Sequence, residues 1–522
     1  MNRTEQGRLN AGATLGAFAL SCTLMLAVLV GAAGVSAQDF IDNRLTVTFG
    51  DDDLLAPTGE QVPLSPLPGF GDRPAYQLFF DSLNSRYSGR ETLTHLVVYK
   101  KMPAFSEHIT TEAALVVRLD LSSLALTDAG SYIRASYNPW SAQPDDGLAL
   151  TLFPFDTERF RLGYLYTLSF GGADFIPRRS LLRAPGLKLQ FNRGVGYYFL
   201  GFKTIPAREP LEIAVGGADT EVEVVRVDET QYSVLGGAGW QLADDLIRID
   251  IGGGYFQQGR LDLPSYPRAP VYSVGGALRL AIHHNLPISS SIDFSLYKND
   301  PSAPFQAFRP VSYTAGQFGY LVSLEANAVG QHLADVDRTN QTTLEPAVAA
   351  ALQTRIQYGY FRLELTGLFR DMSYILKNVP SFVPFLSMPT TAEIAPEFFF
   401  AATADYHFPK PRITLGVSAG MQLPATFTTT VNTGVAEASR TLVVRQEGQF
   451  SILPPGLSAV PIIQTRLQMR IDVSEMLYMQ AWVQYVHDEN ATRLVVSPTE
   501  GTRRVFQRAD QLGLGVSVAA RY

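Results

Sequence analysis

The chain has 522 residues, 46% hydrophobic and 11% aromatic but only 17% charged, with a formal net charge of −7. Soluble domains usually carry about 25% charged residues, so this chain is charge-poor, and its acidic balance excludes a general electrostatic affinity for nucleic acid. A single cysteine excludes a disulfide scaffold and a Cys-based zinc site.

Residues 1–37 predict a cleaved secretory signal peptide. Arg3 and Arg8 give a basic start, Ala11 to Val30 is an almost unbroken apolar run, and Val35-Ser36-Ala37 places small residues before a cleavage point at Gln38. An N-terminal membrane anchor is the competing reading, because the run is long for a signal. Cys22 lies mid-run behind Ala19-Leu20-Ser21, which disfavours a lipid anchor. Residues 38–90 follow as a separate segment rich in Pro and Gly (Pro57, Pro63, Pro66, Pro68, Gly69, Gly71, Pro74), with one strand-like piece at Leu45–Phe49. It is expected to be either a periplasmic tail or a plug for whatever the rest encloses.

From 91 to 522 the dominant period is two. In 271–283, Tyr272, Val274, Leu278, Leu280 and Ile282 oppose Ser273, Ala277, Arg279 and His283. In 462–473, Ile463, Leu467, Met469, Ile471 and Val473 oppose Gln464, Arg466, Gln468, Arg470 and Asp472. Residues 317–329, 360–370, 397–407, 412–423 and 512–522 behave alike. Side chains alternate across a strand, so each segment has one greasy and one polar face. The segments run about 10–13 residues, longer than the usual soluble strand of about 5–6 and matched to a tilted membrane strand of about 9–11. A closed sheet is the way strands satisfy their backbone in lipid. The expectation is an all-β transmembrane antiparallel up-and-down β-barrel of about 18–20 strands over 91–522. A soluble sandwich or propeller is the competing fold.

Connections test the pattern. Short ones are expected at Phe155-Asp156-Thr157, Arg193-Gly194, Ala243-Asp244-Asp245, Asn285-Leu286-Pro287, Tyr358-Gly359, Pro409-Lys410-Pro411 and Ser474-Glu475-Met476. Long ones are expected at 170–185, 205–219, 256–270, 330–346, 371–396, 424–461 and 488–508. A further strand near 304–313, weakened by Pro310, brings the count to about 20.

This chain resembles the outer-membrane β-barrel proteins of Gram-negative bacteria. The resemblance rests on the signal-like start, the alternating strands and a terminal aromatic, here Tyr522 rather than the commoner Phe. It implies residence in the bacterial outer membrane, contact with its lipids, and recognition of strand 512–522 by the barrel-assembly machinery. Porins and polysaccharide-export barrels are similar in length. No cofactor and no enzymatic activity are implied.

The alternate residues then line a lumen. The basic set is Arg118, Arg161, Lys188, Arg248, Arg279, Arg355, Arg362, Arg370, Arg466, Arg470 and Arg521, and the acidic set is Asp120, Asp250, Asp293, Glu325, Glu364, Asp405 and Asp472. Rings of Arg and Lys favour anions, whereas pairs such as Arg248–Asp250, Arg362–Glu364 and Arg470–Asp472 would neutralise one another. Arg279, Arg355, Arg370 and Arg466 are the candidate substrate-path residues, because none has an acid two positions away on its own strand. Segments 371–396 and 424–461 are candidate inward constrictions, and Pro380, Phe382, Pro384 and Phe385 mark the first as a packed loop.

Other motifs compete poorly. Gly416-Val417-Ser418-Ala419-Gly420 has the G-x-S-x-G spacing but sits inside an alternating strand with no helix after it. His283-His284 lacks accompanying acids. Asp335-Val336-Asp337 begins like a calcium loop, but Asn340 and Pro346 replace the required glycine and glutamate. The functional expectation is an outer-membrane channel for hydrophilic solutes, anions among them, or for a secreted polysaccharide. The alternative is a non-conducting barrel anchoring a surface, motility or secretion assembly, with periplasmic or surface proteins as partners.

Overall fold

The computed structural model describes residues 40–51, 53–55, 78–79, 93–120, 125–128, 130–139, 146–155, 160–171, 185–215, 221–286, 288, 316–377, 385–432, 437–445, 449–474, 477–497 and 501–521. The signal-like segment, Asp293 and residues 304–313 lie outside these.

The first strands are β1 (Phe40–Asp51), β2 (Leu93–Ser106), β3 (Ile109–Asp120), β4 (Ala125–Asp128), β5 (Tyr132–Tyr137), β6 (Gly147–Phe153) and β7 (Gly186–Arg193). Longer ones follow: β8 (Gly196–Val215), β9 (Glu221–Leu242), β10 (Ile247–Leu263), β11 (Tyr266–His284), β12 (Phe318–Ala334), β13 (Thr342–Tyr358) and β14 (Phe361–Arg370). A helical turn, α1 (Met372–Ile375), precedes β15 (Glu393–Ala395), β16 (Glu397–Phe408), β17 (Ile413–Leu423), β18 (Thr426–Asn432), β19 (Glu437–Val444) and β20 (Phe450–Ile452). The last are β21 (Ile462–Asp472), β22 (Leu477–His487), β23 (Thr492–Ser497), β24 (Gly501–Phe506) and β25 (Asp510–Arg521).

Nineteen strands form one antiparallel sheet. Apart from β4, each pairs with the next in chain order, with β15, β18–β20, β23 and β24 left outside it in two small sheets. The ladder returns on itself: β1 pairs with β2 through Leu45↔Thr94 and with β25 through Thr48↔Ser517. All nineteen but β4, which pairs with β3 alone, belong to this ring of eighteen.

The burial pattern identifies the solvent. Along β6, Ala149, Thr151 and Phe153 are 4%, 3% and 1% exposed, whereas Leu148, Leu150 and Leu152 are 42%, 44% and 43% exposed. On β11, Arg279 is 3% exposed between Leu278 at 46% and Leu280 at 40%. A soluble sheet buries its leucines and wets its arginines. Here the order is inverted on strand after strand, as a wall between lipid and an enclosed polar interior requires.

Inside, bulky rings press against glycines of the wall strands. A Cβ at Gly239 would come within 2.2 Å of the Tyr197 ring, at Gly515 within 2.2 Å of Trp482, and at Gly201 within 1.9 Å of Phe160. These glycines are the vacant half of a ring-and-slot joint.

Three expectations need correction. The barrel begins at β1, not at 91: the strand-like piece noticed at Leu45–Phe49 is the closing strand, since an eighteenth wall member is needed to satisfy the edges of β2 and β25. The ring of eighteen falls within the expected 18–20 strands; the further strand expected near 304–313 lies outside the described residues. Segments 205–219 and 256–270 are not loops for most of their length, because β8 pairs with β9 as far as Val215, and β10 with β11 as far as Leu263. Finally, Phe155-Asp156-Thr157 is no tight turn: β6 stops at Phe153 and β7 starts at Gly186, leaving a long connection at the end opposite the short turns. The tight turns expected at Gly194 and Gly359 are present, both with φ of 56°.

Candidate functional site: the occupied lumen

Three connections from the long-loop end send described residues into the barrel. From the β6–β7 connection, residues 160–171 fold inward as a narrow loop closed by a Leu162–Phe170 bridge. Its apolar side chains Phe160, Leu162, Leu165, Leu168 and Phe170 are all buried. The wall grips its backbone. Glu325 of β12 accepts the N–H groups of Tyr164 and Leu165, each at 3.0 Å. Asn327 donates to the Leu168 carbonyl at 2.7 Å, and Lys203 of β8 donates from Nζ to the carbonyls of Phe160, at 2.9 Å, and of Gly171. The Arg279 guanidinium lies 3.2 Å from the centroid of the Tyr164 ring.

The second inward piece follows β14. Asp371 caps α1, accepting the Tyr374 N–H at 2.5 Å, and also accepts the Val348 N–H of β13 at 2.7 Å. Burial raises the Asp371 carboxyl above the ordinary aspartate range, against the lowering effect of those two bonds. The carbonyl of Lys377 receives Gln258 of β10 at 2.7 Å and Gln331 of β12 at 2.8 Å. Its ammonium, 4.0 Å from the Tyr374 ring centroid, is pushed well below the usual lysine range by burial. Tyr374 donates its hydroxyl to the Leu168 carbonyl, so the two inward pieces touch. Further along, Phe385 packs with Leu261, Val271 and Leu333.

The third piece is Leu78–Phe79. The Phe79 ring lies 4.3 Å from that of Phe399 of β16, tilted by 32°, and 5.3 Å from the Arg370 guanidinium. Its N–H donates to Gln464 Oε1 at 2.9 Å, and Leu78 packs on Ile462 and Val486. Phe79, Phe160, Leu168, Tyr374 and Phe399 belong to one continuous apolar cluster inside the barrel.

The four arginines singled out from sequence all face inward, but three have a carboxylate across the strand boundary. Arg279 bonds Asp250 at 2.7 Å, with Arg248 on the same carboxylate at 3.2 Å; Arg355 bonds Glu364 at 2.9 Å; Arg370 bonds Glu397 at 3.0 Å. Arg466 donates to Gln484 at 3.0 Å. The same-strand test used to choose them misses partners on adjacent strands, which sit as close as those two residues away. Arg362, expected to face Glu364, instead bonds Asp405 of β16 at 2.7 Å. Arg161 is not on a wall strand: it belongs to the inward loop, where Nη2 donates to the Ser169 carbonyl at 3.1 Å. Sequence reading assigns no role to Lys203, Tyr164, Tyr374, Phe79 or Glu397. The one available signal for the first loop was its run of apolar residues, which imitates a strand.

Within 424–461, the other candidate constriction, β18–β20 join β15 in a separate four-stranded sheet. Its base reaches the lumen pieces, because Ala425 and Val444 pack on Met372 and Leu376. Ser418 lies mid-strand in β17, accepting a 3.0 Å bond from Thr403, and has no nucleophile geometry. His283 is bonded at Nδ1 to the Leu286 carbonyl, and Asp335 caps its own turn. No metal-holding cluster occurs among the described residues.

The fold and the inverted wall define a class: a transmembrane β-barrel. No protein-family description matches the chain, and no curated protein matches it in sequence. Among solved structures it is similar to the outer membrane protein OprD from Pseudomonas aeruginosa, at 8% identity and TM-score 0.40, covering 95% of this chain and 96% of that one. OccK1 (OpdK) from the same organism gives 7%, 0.41, and 94% and 100% coverage. OccAB3 from Acinetobacter baumannii gives 8%, 0.39, and 93% and 100%. These are likenesses of barrel plan, and no solute or chemistry carries over from them.

Proposed function

We propose that the protein is a non-enzymatic outer-membrane channel that passes small hydrophilic solutes through a lumen narrowed by residues 160–171 and 371–377. The observation that supports this most is the polar inner wall itself, in which Glu325, Asn327, Lys203, Gln258 and Gln331 hold the inward pieces by long-range hydrogen bonds. A wall that served only to anchor would have no need of buried charge, whose desolvation is expensive. Two such constricting pieces suit a small solute better than a polysaccharide chain. Preference for anions along Arg279, Arg355, Arg370 and Arg466 is the finer part of the proposal, and the carboxylates bonded to the first three argue for a weak preference.

A second reading, a non-conducting barrel that anchors a surface assembly, is favoured by one observation: the continuous apolar cluster from Phe79 to Phe399 inside the lumen. Single-channel recording of the refolded protein in a planar bilayer under a salt gradient separates the two. Openings with a reversal potential near zero or mildly anion-selective support the channel. A silent membrane containing demonstrably folded barrel overturns it in favour of the anchor.

A further inference from the structure

We infer that the β23–β24 hairpin is a docking surface for the phosphate groups of anionic lipids in the bilayer around the barrel. Its position follows from the wall. The lipid-facing series on β22 runs Met479, Val483 and Tyr485. Tyr485, an apolar ring with a polar tip, is of the kind that stands where hydrocarbon meets headgroups. β23 begins seven residues further on. Two 2.8 Å backbone bonds, from the Asp488 N–H to the Ala509 carbonyl and from the Gln507 N–H to the Ala491 carbonyl, carry the β22–β25 ladder into the hairpin. The hairpin therefore starts where the headgroups lie.

Its composition matches that place. From Thr492 to Phe506 there are three arginines, Arg493, Arg503 and Arg504, against one acid, Glu500. The β8–β9 hairpin has the opposite balance, with seven acids and two arginines between Ile205 and Gln231. Leu494 pairs with Arg504 and Thr492 with Phe506. Partners across a ladder share a face, as do residues two apart. Leu494, Arg504 and Phe506 therefore stand on one face, where Leu494 is 57% and Phe506 45% exposed. Arg504 is exposed too, and its guanidinium has no hydrogen bond or ion pair among the described residues. The carboxylates at the root of the hairpin are already engaged: Asp488 by Arg445, Asp510 by Tyr485 and His487, Glu489 by His487, and Asp53 by Arg508. A cation between two exposed apolar side chains suits a lipid, whose phosphate meets the guanidinium while its glycerol and upper acyl carbons cover the leucine and phenylalanine. An acidic protein segment would satisfy the arginine and leave the apolar pair in water.

The test uses full-length protein refolded in detergent and checked by heat-modifiable gel mobility, with lipid retention read by native mass spectrometry. Phosphatidylglycerol should be retained in preference to phosphatidylcholine. Arg504→Gln should weaken that retention about fivefold, the effect of one arginine beside an anionic surface. Leu494→Ser combined with Phe506→Ser should weaken it as well, without touching the charge. Arg268→Gln, at a guanidinium already bonded to Glu229 on other strands, should leave it unchanged. Equal retention of the two lipids overturns the proposal, as does retention unaffected by Arg504→Gln. Displacement of the lipid by poly-glutamate, from the parent but not from Arg504→Gln, overturns it in favour of an acidic protein partner. Should Arg504→Gln fail to fold, the paired serine substitutions decide, and unchanged retention overturns the proposal in the same way. None of these readouts depends on whether the barrel conducts.

Discussion

Glu325 and Tyr164 are joined by a 3.0 Å hydrogen bond in which the Tyr164 N–H donates to the carboxylate, fastening the inward loop to a wall strand 161 residues later in the chain. The second oxygen holds Leu165 in the same way, and Asn327 reaches the first at 3.4 Å. One side chain therefore fixes where the loop crosses the lumen. Glu325→Gln keeps the shape but removes the charge and turns one acceptor into a donor facing an N–H. With hydrogen bonds to charged groups contributing about 1.5–3 kcal/mol each, the loop should detach locally while the barrel stays folded. Noisier and larger single-channel openings are expected; openings identical to those of the parent would mean that the loop is held elsewhere.

Glu364 and Arg355 test whether the wall charges are felt by passing ions. They bond at 2.9 Å, and both are partly exposed to the lumen. Glu364→Gln uncovers the arginine and should shift the reversal potential towards anions. Arg355→Gln should shift it the other way by a similar amount. Two variants with unchanged selectivity would place the ion path away from β13 and β14.

The ring-and-slot joints make a prediction about folding. A Cβ at Gly515 would lie 2.2 Å from Trp482, whereas one at Gly367 meets only Phe400 carbons at 3.8 Å. Gly515→Val should lower stability by about 1–3 kcal/mol or more through overpacking, and Gly367→Ala should be near neutral. Urea titration of vesicle-inserted protein measures both. Equal stabilities would show that Trp482 swings away without cost.

Asp371 gives a pH dependence with a definite sign. Its carboxyl is raised in the docked segment by burial, despite the Val348 and Tyr374 N–H bonds. The docked state thus takes up a proton more readily than a released one. Docking should strengthen as pH falls from the raised value towards the ordinary aspartate value, and that gain is lost as pH rises back through the raised value. Protease nicking after α1, followed between neutral and mildly acid pH, should slow on acidification, and Asp371→Asn should abolish the change. Nicking that accelerates in acid would reverse the assignment.

Much of the barrel was readable because its signal is local. Leu278, Arg279 and Leu280 already state which face meets lipid, and six further segments repeat the statement. What the sequence concealed is everything decided across strands. Asp250 sits 29 positions from Arg279, and no spacing rule on one strand connects them. Phe160 and Leu162 imitate a wall strand because a strand's alternation and an inward loop's apolar anchors look alike in one dimension. Leu45–Phe49 showed a strand's pattern, yet the surrounding prolines hid its membership of the barrel.

The seam between β1 and β25 has a consequence for how the molecule comes into being. Thr48 pairs with Ser517, so β1 is closed by a strand more than four hundred and sixty residues further along the chain. Contacts of such sequence separation are slow to form, and an unpaired strand edge invites wrong partners meanwhile. The ring cannot shut before β25 has been made, so until then one edge of β1 stays open to wrong partners.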